Sequence, residues 1–337
     1  MKFTAEKKAA IQQYILEKVA EGCEGLSARV SDTFGISQNT VHLYINALLA
    51  DGVIVKEKRG QYALAQKSAT YVLKRSAGEL EDDTYVYEKL LLPFIDDLGS
   101  NVQHIWSYAV SEMTNNVMDH SGAEHLYVFI SRDRIYTRVA ITDDGVGIFK
   151  KIKEHFSLAD VDEAIGELFK GKLTTDSKNH SGEGIFFTSR IMDTFLISSG
   201  QKVFTTTKFE EDEISELDRP TEGTCVYMAL SNTTQKEIRE VFDKYSDEDG
   251  AFSKTSLVMK NFFNSAPVSR SQAKRICLRL EQFEEITFDF EGIDWMGQGF
   301  AHQLFAVFQN AHPRILLIPI NMSPDVKKMY AHVTENA

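Results

Sequence analysis

Tyr136-Thr137-Arg138-Val139-Ala140-Ile141-Thr142-Asp143-Asp144-Gly145-Val146-Gly147-Ile148 reads as one strand running into one turn. Its first seven residues largely alternate and favour extended backbone, the pattern of a strand with one buried face. The strand stops at an acid followed by two glycines. A carboxylate at Asp143 can accept a hydrogen bond from an exocyclic amine, while Gly145 and Gly147 let backbone approach a flat ring closely. Read alone, Asp-Asp-Gly is an ordinary turn, so its meaning depends on its neighbours.

Upstream, Val102, Trp106, Ala109, Met113 and Val117 recur every three or four residues between Asn101 and His120, which predicts a helix with one buried face. Helical geometry then puts Glu112 and Asn116 together at the edge of that stripe, with Asp119 close by. Taken by itself this is a surface polar stripe. Downstream, Ser181-Gly182-Glu183-Gly184-Ile185-Phe186 leads into a helical pattern over 185–192. Glycines at a helix N-terminus leave amides free to hold phosphate oxygens. Gly223-Thr224-Cys225-Val226-Tyr227 follows an acidic stretch, Glu210 to Asp218, that has the character of a solvated hairpin loop. It either flanks the same pocket or simply begins a strand.

In this order and spacing the four segments resemble the N, G1, G2 and G3 boxes of the GHKL superfamily of gyrase, MutL and histidine-kinase ATPases, over residues 80–232. The resemblance implies an ATP site with Mg²⁺. Asn116 would ligate magnesium and Glu112 would activate water. Asp143, with Gly145 and Gly147, would recognise adenine, and Gly182, Gly184, Gly223 and Thr224 would complete the site. Residues 149–181 stand where the family carries its ATP lid, and there Lys170, Lys172 and Lys178 are γ-phosphate candidates or solvated lid lysines. No helical hairpin with a phosphoacceptor histidine precedes the N box, and His104 lies on the N-box helix itself. Histidine autokinase activity is therefore not expected.

The N-terminal residues 1–66 read as three helices and a hairpin: helices over 4–22 and 26–34, a third capped by Ser37, then strands at Val53-Ile54-Val55 and Gln61-Tyr62-Ala63-Leu64. This pattern resembles the winged helix-turn-helix family. The third helix would offer Gln38, Asn39, Thr40, His42 and Asn46 to base edges, while Arg29, Lys56, Lys58 and Arg59 would meet phosphates. No Lys or Arg lies on that helix, so DNA binding is expected to need a dimer or larger assembly. A protein-docking role is the alternative.

From Ser256 onward strands and helices alternate, which predicts an α/β layer with a largely parallel sheet. The stretch from Ile286 through Phe300 resembles STAS-like domains of bacterial regulators. In the anti-sigma-antagonist members a serine after this strand is phosphorylated by a partner kinase. Here Met296 stands in its place, so no phosphoswitch is expected at that turn and the domain reads as an interaction or dimerisation surface. Asp289, Asp294 and His302 form either a catalytic cluster or structural strand-end polar groups.

The expected architecture is multidomain α/β: a winged helix over 1–66, a GHKL (Bergerat) α/β sandwich over 67–249 and a STAS-like α/β domain over 250–337. Length and composition agree, since 337 residues with 43% hydrophobic and 11% aromatic side chains exceed what one core organises. Three scattered cysteines suggest neither a disulfide framework nor a zinc site, and no apolar run approaches a membrane span. A cytoplasmic protein is expected. The net charge of -12 excludes wholesale coating of nucleic acid. Three activities follow as expectations: ATP binding and slow hydrolysis that control DNA binding, phosphorylation of a partner Ser or Thr as in anti-sigma-factor kinases, or nucleotide-gated protein assembly. A homodimer, or a protein partner bound through the lid or the STAS-like domain, is the further expectation.

Overall fold

The computed structural model describes residues 3–58, 60–173, 182–207, 213–263 and 266–335. Its first unit comprises α1 (Ala5–Ala20), α2 (Leu26–Phe34), α3 (Gln38–Ala50) and the antiparallel pair β1 (Ile54–Lys58) and β2 (Gln61–Leu64). Thr4 and Ser37 cap α1 and α3 by accepting from the Lys7 and Thr40 amides, which satisfies donors that have no partner in the first turn. Ile11, Ile15, Val30, Val41, Ile45 and Ile54 form a core of their own, touched from outside by Ile135.

β3 (Lys67–Lys74) leaves this unit and becomes the edge of a five-stranded antiparallel sheet. The sheet order is β3-β4-β5-β7-β6, with β4 (His125–Arg132), β5 (Tyr136–Asp143), β6 (Thr194–Thr207) and β7 (Glu213–Ser231). One face is covered by helices. A π-helical turn over Val86–Leu91 runs into α4 (Leu92–Ile95), followed by α5 (Ser100–Asn116), α6 (Ile148–His155), α7 (Val161–Lys170) and α8 (Gly184–Ile191). The stripe Val102, Trp106, Ala109, Met113 and Val117 is fully buried against that face, so the 3.6-residue period located the packing surface.

The acidic stretch differs from expectation. From Glu213 onward it is strand: Ile214 pairs in register with Phe204 and Ser215 with Val203, and Lys202 meets Glu216 at 2.7 Å. The arm is mostly exposed, with Ile214 and Leu217 half-buried and the carboxylates of Glu213, Glu216 and Asp218 facing solvent, so its composition reads as a loop although its backbone is paired. Of residues 149–181, which stand where the family carries its ATP lid, the described part to 173 is largely two helices with Phe149, Ile152, Ile165 and Leu168 in the central core.

α9 (Ile238–Tyr245) leads to the C-terminal layer. There β8 (Lys254–Val258), β9 (Glu285–Asp289) and β10 (Leu316–Ile320) form a parallel sheet in the order β10-β9-β8. α10 (Arg270–Cys277) begins with a Ser269–Gln272 capping box. α11 (Gln298–His302) continues through a π-helical segment, Gln303–Phe308, into α12 (Gln309–Ala311), and α13 (Pro324–Thr334) closes the layer. Met296 is buried, while Asp289 accepts from the Glu291 amide and the Asn321 side chain. The Asp289 carboxylate thus ties a strand end to its loop. No described helix is long and apolar enough to cross a membrane.

Candidate functional site

The inward positions of β5 are Thr137, Val139, Ile141 and Asp143. Period-two alternation therefore carries an acid into the layer between sheet and helices, where Asp143 is 3% exposed. Its Oδ1 accepts from the Gly145 amide at 2.8 Å, and Thr224 also hydrogen-bonds it. Burial pushes the Asp143 carboxyl above the ordinary range, and these hydrogen bonds oppose the shift. Asp144 does different work. It accepts from the Glu124 and His125 amides and lies 2.7 Å from His125 Nδ1, and the His125 bonds hold its carboxyl below the ordinary range. It anchors the start of β4.

Glu112 and Asn116 sit one turn apart near the end of α5 and both line a cavity of about 390 Å³, within the span of small-ligand sites. The helix end is held by Arg75, whose guanidinium donates to the Ala123 carbonyl beyond it and to the carbonyls of Val117 and Met118 in its last turn, where a helix terminus leaves acceptors unsatisfied. Asp119 does not join the cavity; it is exposed. The chain winds as a π-helix over Val117–Ser121, so an extrapolation at α-helical pitch overshoots there.

The cavity wall also contains Asp143, Gly147, Gly182, Gly184 and Thr224. Thr224 Oγ1 accepts from the Ile148 amide at 3.0 Å, and Ser199 Oγ donates to the Gly223 carbonyl at 2.8 Å. Gly145 and Gly223 stand behind the wall. A Cβ at Gly145 would overlap the Ser121 carbonyl, and one at Gly223 would overlap the Asp143 carbonyl. Those glycines permit close backbone packing at the site, not the approach to a ring expected of Gly145. At Gly184 a Cβ would overlap the Glu112 carboxylate, so Glu112 lies directly against the segment that leads into α8.

His120, Lys151 and Glu183, to which no local sequence pattern assigns a role, also line the cavity. Lys151 donates from Nζ to the His120 carbonyl at 2.7 Å, and burial pushes its pKa down. The available signal was its place one helical turn beyond Gly147. Lys151 is the one Lys or Arg among the described lining residues, against the acids Glu112, Asp143 and Glu183. A polyanion would need a cation beside it here. The hard oxygens of the Asn116 amide and Glu112 suit magnesium, which keeps most of its coordination for phosphates and water.

The lid lysines are placed elsewhere. Lys170 is 1% exposed and paired with Glu167, and Lys172 donates to the Gln282 carbonyl at 2.8 Å. Both therefore turn toward the C-terminal layer and neither lines the cavity. Lys178 lies outside the described residues. In the N-terminal unit Gln38, Asn39, His42, Asn46, Arg29, Lys56 and Lys58 are exposed. Thr40 shares a hydrogen bond with Ser37 Oγ at the cap, and Arg59 lies outside the described residues.

Comparison with protein families matches residues 102–234 to the histidine kinase-, DNA gyrase B-, and HSP90-like ATPase family, and residues 272–327 to a STAS-like domain of unknown function. The chain therefore carries a GHKL-type ATPase domain followed by a STAS-like domain. A search of curated proteins gave no match.

Proposed function

We propose that this protein is an ATP-dependent regulator in which binding and slow hydrolysis of Mg·ATP control a DNA-binding output of the N-terminal unit. The observation that carries the reading is convergence: Glu112, Asn116, Asp143, Gly182 and Thr224, spread over more than a hundred residues, line one cavity. In this reading Asp143 accepts from the adenine amine, and Asn116 holds the metal. Gly182 and Gly184 offer backbone amides to the phosphates. When bound, magnesium would neutralise phosphate charge and orient the triphosphate. Glu112, packed against Gly184, then orients or deprotonates the nucleophile.

Three helices with a hairpin support a winged-helix reading of residues 1–66, and the exposed polar side chains of α3 support base contact. The cations in this reading flank α3 and leave it free of Lys and Arg, so its DNA affinity depends on assembly. Two measurements test the proposal. γ-Labelled ATP should release free phosphate at a slow rate that needs Mg²⁺; label transferred to a protein hydroxyl would instead make it a kinase. Gel shifts on random-sequence DNA should differ between the apo and ATP-bound states. Absence of any shift in both states would favour protein docking.

A further inference from the structure

Two segments form the side of the cavity that this reading assigns to phosphate. One is the end of α7 with its exit, where Leu168 and Leu173 reach the wall; the other is Gly182 to Ile185 at the start of α8. They also touch each other, because a Cβ at Gly182 would collide with the Leu173 backbone. Asp143 and Thr224, in contrast, hang on the central sheet.

The opposite side of both segments belongs to the C-terminal layer. Phe186 and Phe187, two and three residues beyond Gly184, are no more than 1% exposed and sit in the C-terminal core with Tyr245, Phe252 and Phe283. Phe187 stacks on Phe242 with ring centroids 4.1 Å apart. On α7, a Cβ at Gly166 would strike the Phe262 ring. Lys170, paired with Glu167, donates to the Leu278 carbonyl at 3.0 Å and more weakly to the Arg275 carbonyl at 3.4 Å. These carbonyls close α10, where the helix dipole favours a cation. Arg279 donates to Glu167 Oε2 at 3.1 Å and to the Lys172 carbonyl. Thr255 Oγ1 donates to the Lys170 carbonyl at 2.7 Å.

A buried pair with three or four such bonds is a poor source of stability, because desolvation offsets its attraction. It is a strong fixer of geometry, since each lost partner leaves a buried charge or carbonyl unsatisfied. We propose that Arg279 and Lys170 are positioning residues through which the C-terminal domain sets the phosphate half of the nucleotide site. Discrimination between ATP and ADP then depends on C-terminal docking, while adenine recognition does not. The inference rests on the ATP reading above. By linkage, ATP must tighten the docking by the same factor that docking tightens ATP.

The test compares ATP and ADP affinities, both with Mg²⁺, in the full-length wild type, Arg279→Ala and Thr255→Val. Thr255→Val keeps the side-chain shape and removes one hydroxyl, so it guards against simple misfolding of the arginine variant. Site-to-site coupling spans roughly 5–150-fold. We expect ATP affinity to fall within that range for Arg279→Ala and by a smaller factor for Thr255→Val, with ADP affinity falling by less than ATP affinity in both. A purely structural role would lower the melting temperature and leave the ATP-to-ADP ratio at its wild-type value, which overturns the proposal. A wild type that binds neither nucleotide overturns the ATP reading itself, and the coupling with it.

Discussion

Asp143→Asn tests the adenine assignment with little collateral damage. The substituted side chain keeps a carbonyl oxygen to accept from the Gly145 amide, now 2.8 Å from the carboxylate. What changes is the face toward the cavity, where an acceptor-only carboxylate becomes an amide that can present a donor to a donor. A hydrogen bond to a charged group contributes about 1.5–3 kcal/mol, equivalent to roughly a 10- to 150-fold weaker Kd. Stability should hold or rise, since the variant removes a buried charge whose pKa is already pushed up by desolvation. Isothermal titration with Mg·ATP gives the affinity and a thermal melt checks the fold. A folded variant with wild-type affinity would refute the placement of adenine at Asp143.

The same carboxyl makes ATP affinity sensitive to acid: affinity should weaken as pH falls through a pKa above the ordinary aspartate value, and Asp143→Asn should remove that dependence. The effect on stability has the opposite sign, because the folded state binds more protons than the unfolded one between the ordinary value and the raised one. Stability from this group therefore falls as pH rises through that window, which melts across mildly acidic pH will show. Gly184→Ala would put a methyl into the space of the Glu112 carboxylate. Because the side chain can swing away, turnover should drop by about the 10²–10⁴ expected for losing a general base while the melting temperature changes little; retained turnover would separate Glu112 from the chemistry. Cys277 lies in the C-terminal core and burial pushes its thiol up to about 12, so peptide mapping after alkylation at mildly alkaline pH should find it unmodified until the chain unfolds.

Five of the residues that line the cavity were legible because each belongs to a local pattern. Glu112 and Asn116 share a helix edge, Asp143 ends an alternating strand, and Gly182 and Gly184 precede a helix. Lys151 and His120 are harder to find: the one local signal for Lys151 is its place one helical turn beyond Gly147, and His120 has none. Gly145 does not line the cavity; its missing side chain makes room for the Ser121 backbone behind the wall.

Periodicity in the chain by itself determined the elements of residues 1–66, the buried stripe of α5 and the parallel layer after Ser256, and local motifs gathered the nucleotide-type segments in the middle third. It could not determine what each buried face packs against. Only the tertiary structure turned Lys170 and Lys172 from the cavity to the C-terminal layer, gave Phe186 and Phe187 to the C-terminal core, and separated the roles of Asp143 and Asp144. The physical reason is that local sequence sets backbone conformation and which side of an element is apolar, whereas the partner across an interface is chosen by packing and by hydrogen bonds between residues far apart in the chain.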